Sequence, residues 1–183
     1  IEKHIKEVIN NGKVYKIDTA TMNDIPFISI AGIGFDALIA DYFAKDENRG
    51  FITYAKLITE KYPNYKQKEY TLILDDQKTI NCKPFFVTFA NSNQFGYNAE
   101  ISPKASVQDG LLDVCIFKKP NILEVPIVAT YFLAKQIDKS NFINLLTFVV
   151  PRSTLPFIVS VIPLLKKSKP IIFICINGTN NHI

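Results

Sequence analysis

Histidine, cysteine and methionine are scarce in this chain, and each shortage narrows what it can do. The two histidines, His4 and His182, lie at opposite ends, so neither a Ser-His-Asp nor a Cys-His relay has supporting spacing. Cys82, Cys115 and Cys175 are odd in number, far apart and without a Cys-x-x-Cys pair. That argues against a zinc site or a disulfide framework and fits a reducing compartment. Each cysteine lies in or beside an apolar stretch, the usual setting of a buried structural thiol. Ile1 is the first residue and Met22 the only methionine, so the chain is expected to be a processed product or a piece of a longer protein. Glu2, Lys3, His4, Lys6 and Glu7 break any apolar run that could serve as a signal peptide. A membrane-spanning run is also missing. The apolar stretch from Phe148 to Leu165 holds Arg152, Pro151, Pro156 and Pro163, leaving about a dozen uninterrupted residues where roughly 20 are needed. It reads as β-rich core or an irregular apolar lid.

Acidic residues stop at Asp138, while Lys139, Arg152, Lys166, Lys167 and Lys169 follow. Such a basic and apolar final quarter suits anionic lipid or phosphate, and a solvated basic face is the plainer account of the charge alone. No dense Lys/Arg array interleaved with aromatics exists, so nucleic acid is not an expected partner. The 183 residues, 48% hydrophobic and 21% charged, describe a folded chain able to bury a real core.

Along the chain, residues 2–9 read as a short amphipathic helix stopped by Asn10-Asn11-Gly12. Lys13–Ala20 alternates like a strand, and Ile25–Ala31 is a β-branched run that reads as one buried strand ended by Gly32-Ile33-Gly34. Asp36 is placed to cap a helix through Tyr42, and Phe51–Tyr62 has helical spacing closed by Pro63. Short strands are expected over Glu69–Leu74, Ile80–Cys82, Phe85–Ala90 and Leu112–Phe117, with a helical pattern over Pro126–Ile137.

Among these elements lie segments that could carry chemistry. Gly32-Ile33-Gly34-Phe35-Asp36-Ala37 matches the G-x-G-x-x-A dinucleotide fingerprint, but no acidic residue ends a second strand about 20 residues on. The plainer reading is a glycine turn before a helix, and binding of a nicotinamide dinucleotide through Gly32, Gly34 and Ala37 stays open as an alternative. Asp109-Gly110 between strand-like segments is first a hairpin signal, and such a turn can also converge a carboxylate and backbone carbonyls on a hard cation. Asn91-Ser92-Asn93 after a buried strand is either a ligand-facing loop or a turn closed by its own side chains.

Four segments taken in order carry a resemblance: Ile30–Ala37, Arg49–Tyr54, Phe86–Ser92, and Ile101–Ala105 through Asp109–Val114. Their order and spacing, over roughly residues 1 to 120, resemble the C-terminal domain of the bacterial diacylglycerol kinase-like lipid kinases, relatives of the sphingosine kinases. The resemblance implies an α+β fold: mainly an antiparallel β-sandwich lobe with a few flanking helices, the C-terminal lobe of a two-lobed lipid kinase. Residues 1–183 are then one β-rich lobe, with 148–183 unassigned. The family's nucleotide loop, Gly-Gly-Asp-Gly-Thr, is not in this sequence, so an N-terminal nucleotide-binding lobe is an expected partner. Further implied are ATP as co-substrate, a lipid substrate such as a diacylglycerol, a peripheral place at the cytoplasmic membrane surface, and room for a homodimer. By position the resemblance places Mg²⁺ on the Asp109 carboxylate with the carbonyls of Ser106 and Leu111. The family's general base is a glutamate in Asp-Gly-Glu. The best counterpart here is Asn177-Gly178-Thr179, and a threonine hydroxyl cannot act as that base, so no catalytic residue is assigned. A noncatalytic lipid-binding or interaction β domain is the alternative from another class.

Overall fold

A computed structural model describes residues 6, 10–12, 17–23, 25–74, 78–96, 98–149, 159–163 and 172–177. Among the described residues ten strands run in chain order as β1 Thr19–Met22, β2 Ile25–Phe27, β3 Ile30–Gly34, β4 Tyr70–Leu74, β5 Lys78–Cys82, β6 Phe86–Ala90, β7 Leu111–Phe117, β8 Ile143–Val149, β9 Val159–Pro163 and β10 Ile172–Asn177. Helices α1 (Phe35–Lys45) and α2 (Phe51–Lys61) follow β3, and α3 (Val125–Leu133) follows β7 with a 3₁₀ turn at Ile137–Lys139. The strands form a six-stranded sheet in the order β2-β1-β10-β9-β4-β5 and a four-stranded sheet in the order β3-β6-β7-β8. Every pairing is antiparallel.

The four-stranded sheet is covered on both faces, which explains why its central strands, but for Thr88 and Asp113, are apolar rather than alternating. Val87, Phe89, Leu112, Val114 and Ile116 face the other sheet and pack with Ala20, Tyr70 and Leu72. Their strand neighbours Phe86, Ala90, Cys115 and Phe117 face the helices and pack with Phe35, Ile39, Leu57 and Val128. Each large side chain removed from water here contributes about 1.5–3 kcal/mol. Buried Cys115 is the structural thiol expected of it, and burial pushes its pKa well up.

Several expected boundaries move. Ile25–Ala31 is not one strand: a bend at Ile28-Ser29 divides it between the two sheets. Asn91 holds that bend, its backbone N–H donating to Ser29 O (3.0 Å) and its Nδ2 to Ile28 O. The glycines do not end the strand either, since Gly32 and Gly34 pair with Thr88 and Phe86 inside β3. Helix α3 stops at Leu133 because Lys135 takes φ 55°. β8 has no counterpart in the expected strands, while β9 lies within the stretch expected to be β-rich. Apart from Lys6, the helix expected over 2–9 lies outside the described residues, as does the first half of the strand expected over 13–20, whose end, Thr19–Ala20, opens β1.

Arg49 and Gly50 turn the chain from α1 into α2. Arg49 Nη1 and Nη2 donate to Phe43 O (2.6 Å) and Ala44 O (3.2 Å), closing the end of α1. Gly50, at φ 112°, makes the reversal that a side chain would resist.

Candidate functional site

The loop from Ser102 to Gly110 leaves the helix-covered face of the four-stranded sheet and returns into β7. Asp18, just before β1, clasps it. The Asp18 N–H donates to Val107 O (2.7 Å), and Gly110 N–H donates to Asp18 Oδ2 (2.8 Å). Asn91 Nδ2 donates to Asp18 O at 2.9 Å, so the end of β6 fixes the clasp in turn. Inside the loop, Leu111 N–H donates to Asp109 Oδ1 (2.9 Å), which aims the exposed carboxylate back along the turn. Gly110 takes φ 69°, as a tight Asp-Gly turn requires.

The three residues placed on a cation by position, Ser106, Asp109 and Leu111, line one small cleft of about 110 Å³. Ala90, Lys104, Ala105, Asp113 and Thr147 complete its walls. Asp113 is buried and accepts a short hydrogen bond from Ser102 Oγ. The donors on offer are carboxylate, hydroxyl and backbone oxygen, with no soft ligand, which is the chemistry of a hard cation. Among the described residues no group of three His, Cys, Asp or Glu side chains could hold a metal. A cation here would therefore rest on one or two carboxylates, carbonyls and retained water, a donor set that fits Mg²⁺.

The glycine segment has a different role from the dinucleotide reading. A Cβ on Gly32 would lie 2.3 Å from Asp36 Oδ2, and one on Gly34 would lie 2.7 Å from Phe85 O and from Phe86 Cα. The space that a pyrophosphate would use is filled by the chain itself, and β3 pairs antiparallel with β6 rather than in a parallel dinucleotide sheet. The nicotinamide-dinucleotide alternative is thereby set aside. Nor does Asp36 cap the helix; Gly34 is at the cap position and Asp36 lies inside the first turn. Its Oδ1 accepts from Ala37 N–H (2.7 Å) and its Oδ2 from Thr88 Oγ1 (3.2 Å). Burial raises its carboxyl to about 7, outweighing those hydrogen bonds, which act to lower it. Tyr65 is pushed up to about 12, by burial first and then by Tyr70 and Asp36. A carboxyl that titrates near neutrality can exchange a proton at physiological pH.

Asp18 and Asn91 are the residues that sequence reasoning assigned no role at the turn. Asn91 was legible as a polar residue after a buried strand; it proves to be buried and to bridge backbone carbonyls, with no partner for its Oδ1 among the described residues. Gly178 and Thr179 lie outside the described residues. No helix among the described residues is long and apolar enough to cross a membrane.

The sandwich with its clasped Asp-Gly loop defines a class of protein, and comparison with known proteins identifies it. Residues 29–130 match the model of the YegS C-terminal NAD kinase β-sandwich-like domain. The chain belongs to this family. Uncharacterized protein sll0036 of Synechocystis sp. is 26% identical over 137 residues, covering 73% of this chain and 31% of the relative. Three solved structures from Bacillus anthracis str. Sterne share the fold. All are described as diacylglycerol kinases, two of those descriptions being provisional. Their TM-scores are 0.63, 0.61 and 0.57, at 18%, 14% and 16% identity. Each is matched over 93% of this chain and 57%, 56% and 53% of its own length. The chain thus spans little more than half of those structures and under a third of the curated relative.

Proposed function

We propose that this chain is the substrate-side lobe of an ATP-dependent kinase that phosphorylates a lipid hydroxyl, with a diacylglycerol as the model substrate. In this reading it works beside a nucleotide-binding lobe at the cytoplasmic face of a membrane. The observation that carries the proposal is the convergence of Ser106, Asp109 and Leu111 on one cleft, behind a turn locked by Asp18. The Asp109 carboxylate and the carbonyls of Ser106 and Leu111 would hold Mg²⁺. When bound, the cation neutralises the carboxylate and stiffens the turn. The chain's own residues do the positioning: Asp18 fixes the Gly110 N–H, and the Leu111 N–H orients Asp109.

Phosphoryl transfer needs positioning and charge stabilisation more than covalent chemistry, so a rigid wall beside the acceptor is a useful contribution from this lobe. The acceptor hydroxyl must still lose a proton, and no residue here is assigned that task. A noncatalytic lipid-binding domain is the second reading. To separate the two, the chain is joined to a family nucleotide-binding lobe and given radiolabelled ATP and dioctanoylglycerol. Labelled phospholipid that falls at least tenfold with Asp109→Ala supports the kinase. Lipid binding without transfer supports the noncatalytic domain.

A further inference from the structure

Helix α3 carries no charged residue along Val125–Leu133, yet most of it faces solvent. Only Val128 is buried, with Tyr131 and Phe132 half-buried against the core beneath. Leu133 is 86% exposed, and in the preceding turn Leu123 is 83% and Ile122 71% exposed. Ile127 adds a further exposed side chain midway. Isolated exposed leucines need no explanation, but a charge-free helix with protruding apolar residues at both ends does.

The turn that presents Ile122 and Leu123 is held in shape. Asn121 Oδ1 accepts from Leu123 N–H (3.0 Å) and Glu124 N–H (3.1 Å), while Glu124 Oε2 accepts from Asn121 N–H (2.7 Å). This reciprocal pairing also ties up the Glu124 carboxylate within the turn. Lysines bracket the apolar stretch: Lys118 and Lys119 before it, Lys135 and Lys139 after it, against Glu124 and Asp138. Lys135 pairs with Glu100 (2.7 Å), and Lys119 Nζ donates to Tyr65 O (3.0 Å), whereas Lys118 and Lys139 are exposed.

We infer that α3 and its leading turn form a docking element for an anionic lipid bilayer, with Ile122, Leu123, Ile127 and Leu133 entering the interface and Lys118 and Lys139 meeting the headgroups. The choice of a bilayer over a protein rests on the lipid-kinase reading and on charge. A second copy seated face to face would bring the same cationic rim against itself, whereas anionic headgroups complement it. Protruding leucines beside lysines are what an interfacial helix uses, since affinity sums apolar burial and attraction to anionic lipid.

The test is co-sedimentation of the full chain with vesicles of phosphatidylcholine containing about one third phosphatidylglycerol, without ATP or magnesium. Leu123→Ser and Leu133→Ser should each lower partitioning about tenfold, as losing one buried leucine side chain predicts. Lys118→Glu with Lys139→Glu should weaken binding to these vesicles and leave binding to pure phosphatidylcholine unchanged. Because the altered side chains are exposed, thermal stability should not move. Equal partitioning of the wild type and the Leu123→Ser/Leu133→Ser variant overturns the inference. So does a wild type that stays off the vesicles, or that forms a dimer lost in the leucine variant. No phosphoryl transfer is read, so failure of the kinase reading would leave this result unaffected.

Discussion

Gly110 donates its backbone N–H to the carboxylate of Asp18 across 92 residues of sequence, at 2.8 Å. The bond ties the start of the six-stranded sheet to a loop of the four-stranded one. Since Asp18 is buried, removing its side chain leaves the Gly110 N–H without that partner. Asp18→Ala should cost about 1.5–3 kcal/mol, the range for a hydrogen bond to a charged group, measured by urea denaturation. Asp18→Asn, which keeps an acceptor oxygen, should recover part of that loss.

Gly32 is a glycine because Asp36 occupies the place of its side chain. With the carboxylate 2.3 Å from the added methyl, Gly32→Ala should destabilise the chain by about 1–3 kcal/mol. In the Gly32→Ala/Asp36→Ala double variant the clash is gone, so the two effects should be strongly non-additive. Additive losses in a double-mutant cycle would show that the contact is not what excludes a side chain at position 32.

The same carboxyl should make stability depend on pH. Between its ordinary value of 3.8 and about 7, the folded chain keeps a proton on Asp36 that the unfolded chain has released. Its contribution to stability is therefore greatest at low pH, falls as pH rises through that window, and levels off above about 7. The slope is at most about 1.4 kcal/mol per pH unit. Denaturation midpoints across this range should lose that component in Asp36→Asn.

Ser102 and Asp113 form a second buried pair beneath the cleft. Ser102→Ala leaves a buried carboxylate without its hydroxyl partner and should cost about 1–3 kcal/mol. Ser102→Thr keeps the hydroxyl and should lose less; equal losses in the two variants would argue that packing, not the hydrogen bond, matters there.

The parts of the fold visible in the sequence are those governed by local pattern. β6 and β7 read as strands because burial on both faces leaves mostly apolar runs, broken at Thr88 and Asp113, and α2 showed its helical spacing through Tyr54, Leu57 and Ile58. The break between β2 and β3 was hidden. Residues 25–31 carry strong β formers at every other position or more, and the bend at Ile28-Ser29 is held by Asn91, more than 60 residues away. For the cleft, spacing alone gave only an Asp-Gly hairpin, and resemblance singled out Ser106, Asp109 and Leu111. Asp18 was beyond reach because nothing near it in sequence shows that its carboxylate holds the Gly110 amide.

The account's central claim, that the Asp109–Gly110 turn is organised by a cation, is tested most directly by a magnesium titration of thermal stability. A cation that binds only the folded state must stabilise it by mass action, about 1.4 kcal/mol at ten times the dissociation constant. For a chain of this size that is a rise of roughly 3–6 °C. The account predicts this rise at millimolar magnesium for the wild type, and none for Asp109→Ala. No rise in the wild type, or the same rise in both proteins, would contradict it.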